Sequence, residues 1–290
     1  MHFKVVLLAI TLTGTIACGG GGTSSPTGPG STPQPNSNVF YTAIGASDAI
    51  GFGSSAVCIP YTECPDGRGY IQVATRELKA RGFTVTLTNL GFPAHVLSRR
   101  LQDLGTRYGR TMTGNMLELQ APFVTSSTTL VTIFTGANDV DTIVAALGGG
   151  AGGSDQTAYI NSQIDAFGQD FAALLSMVRD RTPSARIVVL NLPNMAGMPR
   201  NVSGSLQKRR AEQMLSVGIT MRVINPKASG GVLVVDVMCD PRAYQSTTYS
   251  SDGFHPSDTG YAWMAAEVVA AATTAYRAPA SSCSQTVLVQ

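Results

Sequence analysis

Short apolar runs, each followed by a stretch of helical periodicity, constrain this chain more than any other feature. Val39–Ile44, Phe83–Leu87, Thr128–Thr135, Arg186–Leu192 and Val232–Val237 are rich in β-branched residues and carry few charges. A strand with one wet face alternates apolar and polar side chains. A strand that is apolar nearly throughout is buried on both faces. Amphipathic patterns lie between the runs. The clearest is Tyr159–Arg181, where Ile160, Ile164, Phe167, Phe171, Leu174, Leu175 and Val178 fall along one face. Further helices are expected from Tyr70 up to Gly82, over His95–Tyr108, Asp139–Leu147 and Ser205–Ile224, and from a cap at Ser257 or Asp258 to about Ala275. Gly114–Phe123 shows no readable pattern. Strands that alternate with helices in this way form a parallel sheet joined by right-handed crossovers. The expected fold is one α/β domain, a three-layer α/β/α sandwich around a central, mostly parallel sheet.

In such a sheet the carboxyl ends of the strands share one edge, and ligands bind in the crevice beyond it. Polar residues stand at those ends here. The first strand runs into Gly45-Ala46-Ser47-Asp48, the second into Asn89-Leu90-Gly91 and the third into Gly136-Ala137-Asn138-Asp139. Asp252 and His255 precede the last helix. Taken singly, Ser47 reads as a helix cap, Gly91 as a turn glycine, Asn138 as a loop cap and His255 as an exposed histidine. Taken together they form a constellation. Serine is a weak nucleophile until a base stands beside it, and a third group must then hold the imidazole in the right tautomer. Of the three histidines, His2 lies in the amino-terminal segment and His95 falls in an expected helix among Ala94, Val96 and Leu97, as a structural or pocket-rim residue. His255 is left as the base, with Asp252 three residues earlier to orient it. Attack on an ester carbonyl builds an oxyanion, and donors aimed at that charge are a large catalytic term. The Ser47 N–H, the Gly91 N–H approaching without a Cβ in the way, and the Asn138 side-chain amide are the candidate donors. No GxSxG nucleophile elbow is present.

The blocks GASD, NLG, GAND and DGFH, in this order, resemble those of the SGNH (GDSL-type) hydrolase family, over roughly Val39 to Tyr276. That family takes a serine, a glycine, an asparagine and a histidine from its four blocks, matching Ser47, Gly91, Asn138 and His255, with its aspartate at Asp252. The resemblance implies a flavodoxin-like sheet and a serine esterase that needs no cofactor or metal. Its partner would be a small-molecule ester of short to medium acyl length, and its state a monomer. Two departures stand out. Ala46 occupies the place of the usual aspartate before the nucleophile, with Asp48 following instead, and Phe92-Pro93 replaces small polar residues after the second block. Two rival readings come from other classes. One is a non-catalytic tethered binding protein on a degenerate hydrolase scaffold, against which Ser47, Asn138, Asp252 and His255 all speak. The other is metal-dependent hydrolysis through Asp139, Asp141, Asp252 and His255, a poor ligand set with its single histidine.

The amino terminus reads as a targeting segment over residues 1–18. Lys4 precedes a short apolar core, Val5–Leu12, and Thr15-Ile16-Ala17-Cys18 closes it. The cysteine at that place resembles a bacterial lipobox, which implies lipidation of Cys18 and anchoring at the cell envelope. Thr15 departs from the usual leucine, and plain secretion is the alternative. Residues 19–38 hold only Gly, Thr, Ser, Pro, Gln and Asn, a flexible tether with nothing to bury. The folded domain is expected over 39–290. In an exported chain the remaining cysteines are expected to pair as Cys58–Cys64 and Cys239–Cys283. A formal net charge of +2 and the lack of a basic stripe give no support to nucleic-acid binding. Specificity is expected to come from the loops Asn115–Ser127, Ala151–Ala158 and Asn194–Gly204, which carry no readable code.

Overall fold

The computed structural model describes residues 32–34, 36–273 and 276–287. Its strands are β1 (Asn38–Ile44), β2 (Thr84–Asn89), β3 (His95–Val96), β4 (Gly114–Asn115), β5 (Leu130–Phe134), β6 (Arg186–Leu190) and β7 (Leu233–Val235). The helices are α1 (Tyr70–Ala80), α2 (Arg99–Arg107), α3 (Met116–Leu119), α4 (Ala137–Gly148), α5 (Gln156–Arg181), α6 (Leu206–Gly218) and α7 (Asp258–Thr273). The central sheet has the order β2-β1-β5-β6-β7, and every neighbouring pair is parallel. Val39 lies opposite Val85, Ile44 opposite Ile133, and Phe134 opposite Leu190. Every residue of β5 and β6 is buried, as their unbroken apolar runs require, whereas β2 at the edge alternates.

From β1 the chain winds outward to β2, then returns and winds the other way through β5, β6 and β7. Right-handed crossovers running in opposite directions put their helices on opposite faces. The reversal leaves a crevice between the carboxyl ends of β1 and β5, the place where open α/β sheets bind ligands. Ser47 and Asn138 follow those two strand ends.

The expected helix from His95 is a correction. His95 and Val96 are extended and pair with Gly114 and Asn115, and α2 begins only at Arg99. Ala94 adopts φ +59°, outside the helical basin, and the Leu97 N–H donates to Asp139 Oδ1 at 2.8 Å. Long-range bonds therefore override local periodicity here. The same pairing gives form to Gly114–Phe123, which contains β4 and α3, the latter capped by the Asn115 side chain on the Glu118 N–H at 2.9 Å. The expected Ser205–Ile224 helix is also divided. It stays α-helical to Gly218 and loosens into a π turn over Ile219–Ile224, where the Leu192 N–H donates to Thr220 Oγ1 at 3.2 Å.

Cys58–Cys64 and Cys239–Cys283 are both disulfide-bonded, as expected from the sequence. Cys18, the targeting segment and most of the expected tether lie outside the described residues. Thr32, within that tether, accepts a 3.2 Å bond from Arg186 Nη1 at the start of β6.

Candidate active site

β1 ends at Ile44, and two small residues carry the chain to Ser47, the first residue of a single 3-10 turn over Ser47–Ile50. Gly45 is gripped at this point. Its N–H donates to Gln120 Oε1 at 2.9 Å, and its carbonyl accepts from Gln120 Nε2 at 2.8 Å. A fully buried side chain thereby replaces the strand partner that the backbone lacks beyond the end of β1.

Ser47 Oγ lies 2.9 Å from His255 Nε2, and His255 Nδ1 lies 2.6 Å from Asp252 Oδ2. A carboxylate can only accept, so Nδ1 carries the proton and Nε2 presents a lone pair to the serine hydroxyl. The other Asp252 oxygen, Oδ1, accepts from Ser250 Oγ at 2.8 Å, the Phe254 N–H at 2.8 Å and the His255 N–H at 2.9 Å. Partial burial alone would raise this carboxyl. The bonds from His255, Phe254 and Ser250 outweigh burial and hold it down to about 2. The imidazole is wedged between two aromatic rings, Phe52 at 4.7 Å and Phe254 at 4.8 Å.

Asn138 sits in the first turn of α4, just after Gly136 at φ +115°. One of its amide protons goes to the His95 carbonyl at 3.0 Å, which fixes the plane of the amide and leaves the second proton without an acceptor among the described residues. Asp139 is fully buried beneath it, and burial raises its carboxyl to about 6. His95 is buried as well. Its Nδ1 accepts from Gln120 Nε2 at 2.7 Å, and desolvation lowers its pKa to about 4, so the ring is neutral at ordinary pH. Sequence reasoning placed His95 as a structural or rim residue, and the structure puts it beneath the site, linking Gln120 to Asn138.

The Gly91 N–H, expected as an oxyanion donor, is engaged by a neighbour. It donates to Asn89 Oδ1 at 3.0 Å, while Asn89 Nδ2 donates to the Ala49 carbonyl at 2.7 Å. A Cβ on Gly91 would stand 2.1 Å from Ala49 Cβ. This glycine is therefore required for a close approach to the turn that carries Ser47, and its donor is already in use. Ser47 N–H and Ala94 N–H, in contrast, have no hydrogen-bond acceptor among the described residues.

A narrow crevice lies between Ala46, Asn138 and Phe254, and an apolar cavity of about 40 Å³, walled by Met195, Met198 and Trp263, shares Phe134, Ala137 and Phe254 with it. Asp48 borders both, and burial raises its carboxyl. Asp141, considered for metal ligation, instead meets Arg200 at 2.8 Å. No group of three metal-ligating side chains gathers among the described residues.

The model of the GDSL-like lipase/acylhydrolase family matches residues 43–263, from the end of β1 into α7. The chain belongs to this family. It is a carboxylic ester hydrolase of the GDSL type, on a central parallel sheet with helices on both sides. Two solved structures share the fold of this GDSL-like chain. The lipase Lip_vut3 from a goat rumen metagenome is 16% identical with a TM-score of 0.54, the match covering 81% of this chain and 98% of that one. An extracellular lipase from Streptomyces rimosus is 18% identical with a TM-score of 0.52, covering 81% and 100%. No curated protein matches the sequence.

Two residues that hold the backbone around this GDSL-like site were not singled out from sequence: Gln120 and Asn89. Asn89 alone had a signal, standing at a strand end beside Gly91. Gln120 lies in a segment without readable periodicity, and its role arises only from the fold.

Proposed function

We propose that this chain is a serine esterase that works through an acyl-enzyme, with Ser47 as nucleophile, His255 as general base and acid, and Asp252 as the orienting carboxylate. The observation that carries this reading is the continuous hydrogen-bonded line from Ser47 Oγ through the His255 ring to Asp252, at 2.9 and 2.6 Å. Ser47 Oγ attacks the ester carbonyl carbon while its proton passes to His255 Nε2. The resulting imidazolium, stabilised by ionised Asp252, returns the proton to the departing alkoxide, which leaves as an alcohol. Water then attacks the acyl-Ser47 ester by the same proton route and releases the acid. The oxyanion is met by the Ser47 N–H and the second amide proton of Asn138. Gly91, expected as the third donor, holds Asn89 instead. The Ala94 N–H, without an acceptor among the described residues and one residue before the carbonyl that Asn138 grips, takes that place in our reading.

The apolar cavity supports short acyl groups, because about 40 Å³ of apolar space accommodates only a few heavy atoms. A scaffold that only binds has no need of an imidazole held between a serine hydroxyl and a carboxylate at 2.9 and 2.6 Å. Residues 1–18 are assigned as a targeting segment ending at a lipidated Cys18 and residues 19–38 as a tether. The hydrolase domain would then stand at the cell envelope, outside the cytoplasm.

The test is a panel of aryl esters of graded acyl length, run on wild type and Ser47→Ala, with a serine-reactive phosphonate and a chelator control. Turnover is expected to favour acyl groups of about two to four carbons. Ser47→Ala should fall to background at unchanged melting temperature, and the phosphonate should add its mass to the Ser47 peptide. Substantial hydrolysis by Ser47→Ala would refute the serine mechanism.

A further inference from the structure

Arg200 makes contacts that the proton route itself does not require. It lies in the loop between β6 and α6. Its Nη2 reaches both oxygens of Asp141 on α4, at 2.8 and 3.0 Å. Its Cζ stands 3.8 Å above the centre of the Phe254 ring. Its backbone N–H donates to the Gly253 carbonyl at 3.0 Å. Gly253 adopts φ +67°, and a Cβ there would meet Arg200 N at 2.7 Å, so the two backbones are in direct contact.

These contacts join two parts of the site. Asp141 is three positions beyond Asn138 on α4, and Gly253 and Phe254 lie between Asp252 and His255. Phe254 packs edge-on against the His255 ring and also walls the crevice and the cavity. We propose that Arg200 is a positioning residue, a strut that sets the loop carrying Asp252 and His255 against the helix carrying Asn138, with Phe254 clamped between. The inference rests on the esterase reading above. In that reading the base and the oxyanion donor must act on one carbonyl at once, and misplacement by about 1 Å can cost on the order of 100-fold. The pair is only partly open to solvent, with the Asp141 side chain 10% exposed, so water screens it less than a surface pair. Lysine cannot replace the planar guanidinium, which stacks on a ring and bonds a carboxylate at the same time.

The experiment compares full-length wild type with Arg200→Lys, Arg200→Met and Arg200→Ala. Arg110→Ala serves as control, since it removes the other cation near Asp141, at 3.7 Å. Steady-state kcat and KM on a short aryl ester, the rate of phosphonate labelling of Ser47, and melting temperature are measured for each. All three Arg200 variants should lose on the order of 10- to 100-fold in kcat with KM within about twofold, and labelling should slow in parallel. Arg110→Ala should stay near wild type. Asp141→Asn should add little to Arg200→Met, because the two act as one unit. Wild-type kcat in Arg200→Met or Arg200→Lys, or a change confined to KM, would overturn the strut while leaving the esterase intact. A wild type that neither turns over esters nor takes the phosphonate would overturn the esterase reading, and the strut with it.

Discussion

In the proposed mechanism Ser47 is only as reactive as the nitrogen beside it, so the decisive experiments at this scale are on its neighbours. His255→Ala should be nearly as inactive as Ser47→Ala, and the double variant should lose little more, because members of one catalytic unit are not additive. Asn138→Ala should lower kcat on the order of 10²- to 10³-fold with a smaller effect on KM, the signature of a donor used when charge develops. The pH profile follows from Asp252. Its carboxyl is held at about 2, so it stays ionised over the whole working range, and the acid limb of kcat/KM reports protonation of the base alone. Activity should therefore rise with pH through a single ionisation. A second step on the acid limb above about pH 3 would show another required carboxylate. Asp252→Asn should reduce kcat yet leave more activity than His255→Ala, since the ring keeps its place against Phe52 and Phe254 at 4.7 and 4.8 Å.

At the scale of elements, β3 is held by buried groups whose protonation couples to stability. His95 titrates near 4 in the fold against 6.5 for the free side chain. The unfolded chain therefore binds the proton first, and the contribution of His95, present above pH 6.5, is lost as pH falls toward 4. The loss amounts to at most about 3 kcal/mol. Asp139 opposes it. Its folded value is raised from 3.8 to about 6, so its contribution is present below pH 3.8 and lost as pH rises through about 6. Between pH 6.5 and 4.5, urea midpoints should fall less on acidification in His95→Gln than in wild type, and more in Asp139→Asn. These same elements were the least legible in the sequence. The central strands could be read because burial on both faces leaves an unbroken apolar run, as in Leu130–Phe134. The approach of Ser47, Asp252 and His255 to one another could be anticipated because Ser47 stands at a strand end and the other two just before a helix. His95–Val96 and Gly114–Asn115 could not, since a pairing of two residues leaves no periodicity and its bonds come from Asn138, Asp139 and Gln120 far along the chain. Gly91 was legible as a glycine that the fold requires, but not as one whose N–H a neighbouring asparagine would take.

For the molecule as a whole, the parallel sheet puts the start of the folded chain and the candidate site at opposite ends of the strands. β1 starts at Asn38 on the edge opposite the site, so a chain cut before Thr32 should keep the kcat and melting temperature of the full-length protein. The two disulfides should matter unequally. Replacing Cys239 and Cys283 with serine opens a loop of separation 44 and should cost about 4 kcal/mol, against about 2 kcal/mol for the Cys58–Cys64 loop of separation 6. Equal shifts in the unfolding midpoint would contradict the loop-entropy account. Ser47 and His255 meet across 208 positions of sequence. In the proposed mechanism these two are the alcohol and its base, and an alcohol without its base is a weak nucleophile. Hydrolysis by that mechanism is withheld from half-folded forms, and the first turnover in a refolding mixture marks the moment at which these two distant segments have met.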